Sequence, residues 1–213
     1  MKEVKIYYAN KEHIAYAQDI CQLIETAAAA RGTGIAKRDP EYVAKKLTNG
    51  NAVIALHNEE LAGFCYIETW GHGKYVAHSG LIVADNYRKM GLAKRLKSKA
   101  FQLSREKYPD AKVFGLTTSL AVMKINSELG YKPVTFSELT DDQEFWKGCS
   151  SCRNYDILNR TEHRYCLCTG MLYDPEAKPK KREVSKPVIK NFKRWQRFKE
   201  YFILNKKNET NEQ

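Results

Sequence analysis

"YRKMGLAKRL", residues 87–96, follows the apolar run Leu81–Val83 and opens a helical pattern. Within it, Arg88-x-x-Gly91-x-Ala93 puts small residues where a helix begins. The first amides of a helix have no internal partners and lie at the positive end of its dipole, so bare backbone there suits a phosphate. The stretch is neither a Walker loop, which needs Gly-Lys-Ser/Thr, nor the dinucleotide fingerprint with its three spaced glycines. A plain strand-to-helix turn would carry the same six residues, so the rest of the chain must decide.

Upstream, Val4–Tyr8 alternates like a short strand, and Ile14, Ala17, Ile20, Cys21, Ile24 and Ala28 recur at helical spacing. "RGTG", 31–34, breaks that helix. "DPEYVAKKLTNG", 39–50, begins another, with Asp39 as N-cap, Pro40 in the first helical position and Gly50 just past the end. "AVIAL", "LAGFCYIETW" and "YVAHSGLIV" read as three consecutive strands joined by "HNEE" and "GHGK", an antiparallel meander. Downstream, Leu92, Ala93, Leu96, Ala100, Phe101 and Leu103 mark an amphipathic helix that Pro109 ends. A buried strand "AKVFGLTT", a helix closed by Gly130, a strand "YKPVTF" and a last strand "YCLCTGMLY" complete the body. The order predicts an α/β protein, a mixed sheet covered by helices.

Length and charge bound the function. The 213 residues suit one core domain with an appendage. We expect residues 1–174 to form the domain, with a cysteine-rich segment at 149–168, and 175–213 to be a basic linker, an amphipathic helix and a disordered end. The net charge of +11 is unevenly placed: residues 1–177 carry 24 Lys and Arg against 21 Asp and Glu, residues 178–213 carry 12 against 4. The body therefore lacks a broad nucleic-acid face, and charge arguments concern the tail alone. No apolar run reaches the length of a membrane span and the start lacks an export signal, which predicts a cytoplasmic protein.

The cradle resembles the Gln/Arg-x-x-Gly-x-Gly/Ala loop with which the GNAT superfamily of acyl-CoA N-acyltransferases holds the CoA pyrophosphate, and the element order from residue 4 to about 173 is similar to that fold, whose sheet is mainly antiparallel. "FGLTTSLAVMKINSELGYKPVTFSEL", 114–139, and "GIAKR", 34–38, resemble N-acetylglutamate synthases. The body is similar to GNAT proteins found with bacterial arginine-biosynthesis genes, some of which use succinylated intermediates. The resemblance implies acetyl-CoA or succinyl-CoA as cosubstrate and the α-amino group of L-glutamate as acceptor. It places the backbone of Ile82 and Val83 against the pantetheine arm, and Arg88, Lys89, Met90, Gly91, Leu92 and Ala93 around the diphosphate, with Lys94 and Arg95 nearby. The same likeness implies that the fourth strand splays from its neighbour and frees an amide for the oxyanion.

The chemistry needs a base, because an amine must lose a proton to attack a thioester. Glu68, late in the third strand, and His78, mid-fourth, are the candidates. Related synthases often carry a glutamate near the position of Ala77, and where many GNAT enzymes place a thiol-protonating tyrosine this chain has Asn126. Glutamate's carboxylates need fixed donors: Arg38 offers a bidentate fork, Arg31 shares its loop, and Thr117 and Thr118 add hydroxyls and amides. Cys149-x-x-Cys152 and Cys166-x-Cys168 are candidates for a tetrahedral zinc site that staples the last strand, with packed or redox-responsive thiols the alternative and His163 a further ligand candidate. In the tail, "VIKNFKRWQRFKEYFIL" puts aromatics on one helical side, for docking on the body or on a second subunit of a homo-oligomer. The competing functions are a GNAT for another small amine or a protein, and a CoA-binding module with a nucleic-acid-binding tail.

Overall fold

The computed structural model describes residues 3–32 and 36–177, with Arg31 as backbone only. Seven strands form one sheet in the order β1-β2-β3-β4-β5-β7-β6. β1 (Lys5–Tyr8), β2 (Ala52–His57), β3 (Glu60–Trp70) and β4 (Tyr75–Val83) make the expected antiparallel meander. β4 then pairs in parallel with β5 (Lys112–Thr117), and β7 (Thr169–Tyr173) runs antiparallel between β5 and β6 (Lys132–Val134). The sheet is therefore mixed and mostly antiparallel, as the sequence predicts. The insertion of β7 between β5 and β6 is a matter of long-range pairing, which no local pattern encodes. β7 also begins only at Thr169, so Cys166 and Cys168 precede the strand.

The helices follow their local signals. α1 (Ala17–Arg31) is preceded by a 3-10 turn at Lys11–Tyr16 and ends on Gly32 in the left-handed region. In α2 (Pro40–Thr48), Asp39 caps the amides of Glu41 and Tyr42, as the Asp-Pro dipeptide predicts. α3 (Leu92–Lys107) buries Leu92, Leu96, Ala100 and Leu103. α4 (Leu120–Glu128) is capped by Ser119. Two short helices, α5 (Gln143–Lys147) and α6 (Tyr155–Arg160), lie in the cysteine-bearing segment and were not anticipated, being too short to show periodicity.

Strand alternation sorts β3 and β4 into two faces. Cys65, Ile67, Val76 and Val83 pack against α3, whereas Phe64, Tyr66 and Ile82 pack against α1 and α2. On the second face, Ala77, Phe114 and Leu172 instead meet Phe136, Leu139, Trp146 and Leu158 from the segment between β6 and β7. A gap between these two coverings lies over the junction of β4 and β5.

Candidate active site

The junction is a fork. β4 pairs with β5 only from Tyr75 to Ala77, against Lys112 to Phe114, although β4 runs on to Val83 and β5 to Thr117. The cause is in β4 itself. The β3–β4 register shifts between Phe64 and Tyr66, so β4 holds one extra residue there, next to Gly80 at φ +64°. A bulge of this kind bends its strand and sharpens its twist. Only glycine fits, because a Cβ on Gly80 would lie 2.8 Å from the Tyr66 ring and the backbone is in the left-handed region.

Between the coverings, above the fork, is a cavity of about 800 Å³. It is lined by Arg38, Glu68, the strand segment Ala77–Ile82, Thr117, Thr118, Asn126 and all four late cysteines. The chain thus gathers most of the sequence-predicted polar residues in one place. Val83 and residues 88–93 are not part of its wall.

On the cavity side of β3 the polar groups are tied together. Tyr42 Oη donates to Glu68 Oε2 at 2.6 Å, and Lys46 pairs with Glu68 Oε1. Arg38 Nε donates to Tyr66 Oη at 2.7 Å, and its Nη1 donates to the carbonyls of Ala36 and Lys37. The expected bidentate fork of Arg38 is therefore already spent on the protein, and only Nη2 lacks a partner among the described residues. Tyr42 and Tyr66 meet edge to face at 5.8 Å, so the two clusters support each other. Tyr42, Lys46 and Tyr66 were missed. Tyr66, Glu68 and Trp70 share a face by simple alternation, and Tyr42 and Lys46 are one turn apart on α2, so that signal was present.

His78 is placed otherwise. Its ring is buried on the α3 side, with Nε2 2.8 Å from Ser104 Oγ and Nδ1 3.2 Å from Tyr131 Oη. Ser104 Oγ donates to the Ala100 carbonyl, so it accepts from Nε2–H, and Tyr131 Oη donates to Nδ1. Burial, and then the nearby Lys97 ammonium, hold the imidazole well below its usual value. Both nitrogens of a neutral ring are occupied, and the side chain lies on the opposite face of the sheet from Glu68. Among the described residues, the buried Asn126 Oδ1 and Trp70 Nε1 have no hydrogen-bond partner. Both residues line the cavity, and buried polar atoms without partners are uncommon. Thr117 Oγ1 accepts from the Ser119 amide.

At the fork's open end, Gly91 is the N-cap of α3 at φ +70°, with no side-chain cap, and Lys89 is also at positive φ. A Cβ on Gly91 would meet nothing within 4 Å. The amides of Leu92 and Ala93 are thus uncapped at the positive end of a 16-residue helix. Arg88 pairs with Asp85 at 2.6 Å. Lys94 pairs with Glu128 and Arg95 Nη2 donates to the Val4 carbonyl, which engages both cations elsewhere.

The four cysteines are free thiols around the cavity wall. Burial, followed by the other three thiols, raises Cys168 to about 12, and burial raises Cys149 to about 11. Among the described residues no group of three or more His, Cys, Asp or Glu is arranged to hold a metal ion. Cys166 and Cys168 lie in a loop with their thiols in hydrogen-bonding reach of each other, and the His163 ring stacks on Trp146 at 5.5 Å. No helix among the described residues is long and apolar enough to cross a membrane. The Gly34–Ile35 part of "GIAKR", the Arg31 side chain and the basic tail from 178 lie outside the described residues.

A forked sheet with an uncapped glycine turn opening the following helix is the GNAT fold, and residues 34–124 match the model described as acetyltransferase (GNAT) family. Among solved structures the chain is similar to N-acetylglutamate synthase from Neisseria gonorrhoeae complexed with coenzyme A and N-acetyl-glutamate, at 17% identity and TM-score 0.59 over 83% of this chain and 36% of that one. It is similar to diaminobutyrate acetyltransferase EctA from Paenibacillus lautus, complexed with L-2,4-diaminobutyric acid and coenzyme A, at 11% identity and TM-score 0.56 over 84% and 99%. An acetyltransferase of the GNAT family from Staphylococcus aureus gives 15% and 0.58 over 82% and 100%. At these identities the likeness is of fold. The chain spans about a third of the length of the N-acetylglutamate synthase it matches. No curated protein matches it.

Proposed function

We propose that this protein transfers an acetyl or succinyl group from CoA to the α-amino group of L-glutamate, the entry step of arginine biosynthesis. The observation that carries the reading is the single cavity over the fork, in which Arg38 and Glu68 face the last paired residues of β4 and β5. The diphosphate lies on the uncapped amides at Gly91–Ala93, and the pantetheine arm replaces β5 as the partner of the β4 edge. Gly80 and its neighbours then offer a backbone amide to the oxyanion, held in place before the charge develops.

Glu68 is the base. Its Cα partner across the sheet is Ala77, and opposite residues of an antiparallel pair share a face. The carboxylate that related synthases carry near the position of Ala77 is thus presented from the adjacent strand. Glu68 takes the amine proton directly or through one water, and Lys46 and Tyr42 hold it in position. Arg38 Nη2 and the Trp70 indole N–H meet the acceptor's carboxylates, and Asn126 Oδ1 accepts from an N–H of pantetheine or of the amine. The loop at 31–38, which carries Arg31, is where a succinyl carboxylate is expected. The cysteines pack the wall.

The test has two stages. Calorimetry with CoA is expected to show uptake by the wild type and little by Gly91→Trp, whose indole would fill the cradle. Thiol release is then followed with acetyl-CoA and succinyl-CoA against a panel of amino acids that includes L-2,4-diaminobutyrate. Turnover with glutamate supports the assignment. Uptake of CoA without glutamate turnover under either donor overturns the acceptor and keeps the cosubstrate.

A further inference from the structure

The α3 face that packs on the sheet carries one charged residue. Lys97 follows Leu96 and precedes Ala100 and Ser104 on that face, and the residue is 3% exposed. A buried ammonium is costly unless it is paired. Among the described residues Lys97 makes no ion pair. Nζ lies 5.3 Å from the centre of the Tyr131 ring, and the titratable groups around it are Cys65 from β3, His78 from β4 and Tyr131 from the turn before β6. None of these neighbours is an acid at neutral pH.

Its position explains the expense. Nζ would be 3.8 Å from a methyl group added to Gly115, and the His78 carbonyl would be 3.3 Å from the same point. His78 and Gly115 are the first residues beyond the last β4–β5 pair, Ala77 with Phe114, so Nζ stands at the apex of the fork. It also lines the cavity. On the proposed binding mode the diphosphate is at the open end and the pantetheine runs along β4 from Val83 to His78, roughly 16 Å of strand. Its sulfur then ends at the apex.

We infer that Lys97 is the general acid of this enzyme, donating its Nζ proton to the departing CoA sulfur. The amine nitrogen forms a bond to the thioester carbon and gives a proton to Glu68. The C–S bond breaks, its electron pair goes to sulfur, and sulfur takes the proton from Nζ. The products are the amide, the CoA thiol and a neutral Lys97, which regains its proton from water in the cavity. Asn126 occupies the place where the family resemblance puts a tyrosine and cannot serve as an acid. Burial lowers Lys97 to about 8, close to an ordinary thiol, and proton transfer is efficient when donor and acceptor are matched.

This inference rests on the cosubstrate reading, and the experiment keeps the two apart. Lys97→Met retains the volume and Lys97→Arg retains the charge without a proton to give at working pH. With acetyl-CoA and L-glutamate, Lys97→Met is expected to lower kcat about 100-fold with little change in KM for acetyl-CoA. The fall of kcat above about pH 8 in the wild type should vanish in Lys97→Arg. A readout free of turnover is the ultraviolet titration of the thiol of bound CoA, whose pKa should lie about one unit lower in the wild type than in Lys97→Met. Folding supplies a control: the unfolded lysine binds its proton between pH 8 and 10 where the folded one has lost it, so wild-type stability rises with pH across that window and Lys97→Met should not follow.

CoA uptake with equal bound-thiol titration in both proteins overturns the acid. So does a Lys97→Met enzyme that keeps acetyl transfer and loses only succinyl transfer, since Lys97 would then anchor an acyl carboxylate. A wild type that takes up no CoA overturns the cosubstrate reading and this inference with it.

Discussion

Gly80→Val should both abolish CoA uptake and destabilise the protein by about 3 kcal/mol. Two effects add. A β-branched residue at φ +64° is strained, and its Cβ would lie 2.8 Å from a ring atom of Tyr66, which is itself buried and held by Arg38. The backbone can escape only by giving up the bulge. Losing it shifts the register of β4 from Leu81 onward, and a one-residue slip exchanges the two faces of a strand. Ile82 would turn from α1 towards α3, and the fork proposed to admit pantetheine would close. Urea denaturation and calorimetry with CoA measure the two consequences separately. A Gly80→Val protein of wild-type stability that binds CoA normally would show that the bulge does not create the site.

Glu68→Gln should reduce kcat by roughly 10²- to 10⁴-fold while leaving the KM for acyl-CoA almost unchanged. Glutamine keeps one oxygen for Lys46 and its amide can donate to the Tyr42 hydroxyl, so both partners can be held, but it takes no proton from the amine. A steady-state comparison by thiol release, using the acceptor that the wild type turns over, is sufficient. If Glu68→Gln stays within a few-fold of the wild type, the amine loses its proton elsewhere and Glu68 serves to hold Lys46. His78→Gln, by contrast, is a substitution on the packed side of β4 and should act on stability first.

Local chemistry makes much of the architecture readable. Asp39-Pro40 fixes the start of α2, since the cap and the missing amide are both properties of adjacent residues. The three strands of the meander and their polar turns follow from alternation and from turn residues a few positions apart. Gly91 is readable for the same reason, because the need for bare backbone at a helix start is a local one. His78 shows where this reading fails. In an unbroken strand its neighbours alternate cleanly, but nothing within a few residues says which face meets α3, and Ser104 and Tyr131 arrive from 26 and 53 positions away. Arg38 is legible only in part: its type fits an anionic ligand, but nothing nearby in sequence says that Tyr66 holds its Nε.

By itself the sequence determined the order of the longer elements, the glycine start of α3 and the concentration of basic charge after residue 177, because each depends on composition or on residues within one turn or one hairpin. Tertiary structure alone decided the place of β7 between β5 and β6, the parting of β4 from β5 after Ala77, and the meeting of Arg38, Glu68, Asn126 and Lys97 around one cavity. These are choices of partner between distant segments. They are made by the burial of whole faces and the pairing of buried polar groups, which acquire their energies only when the segments meet.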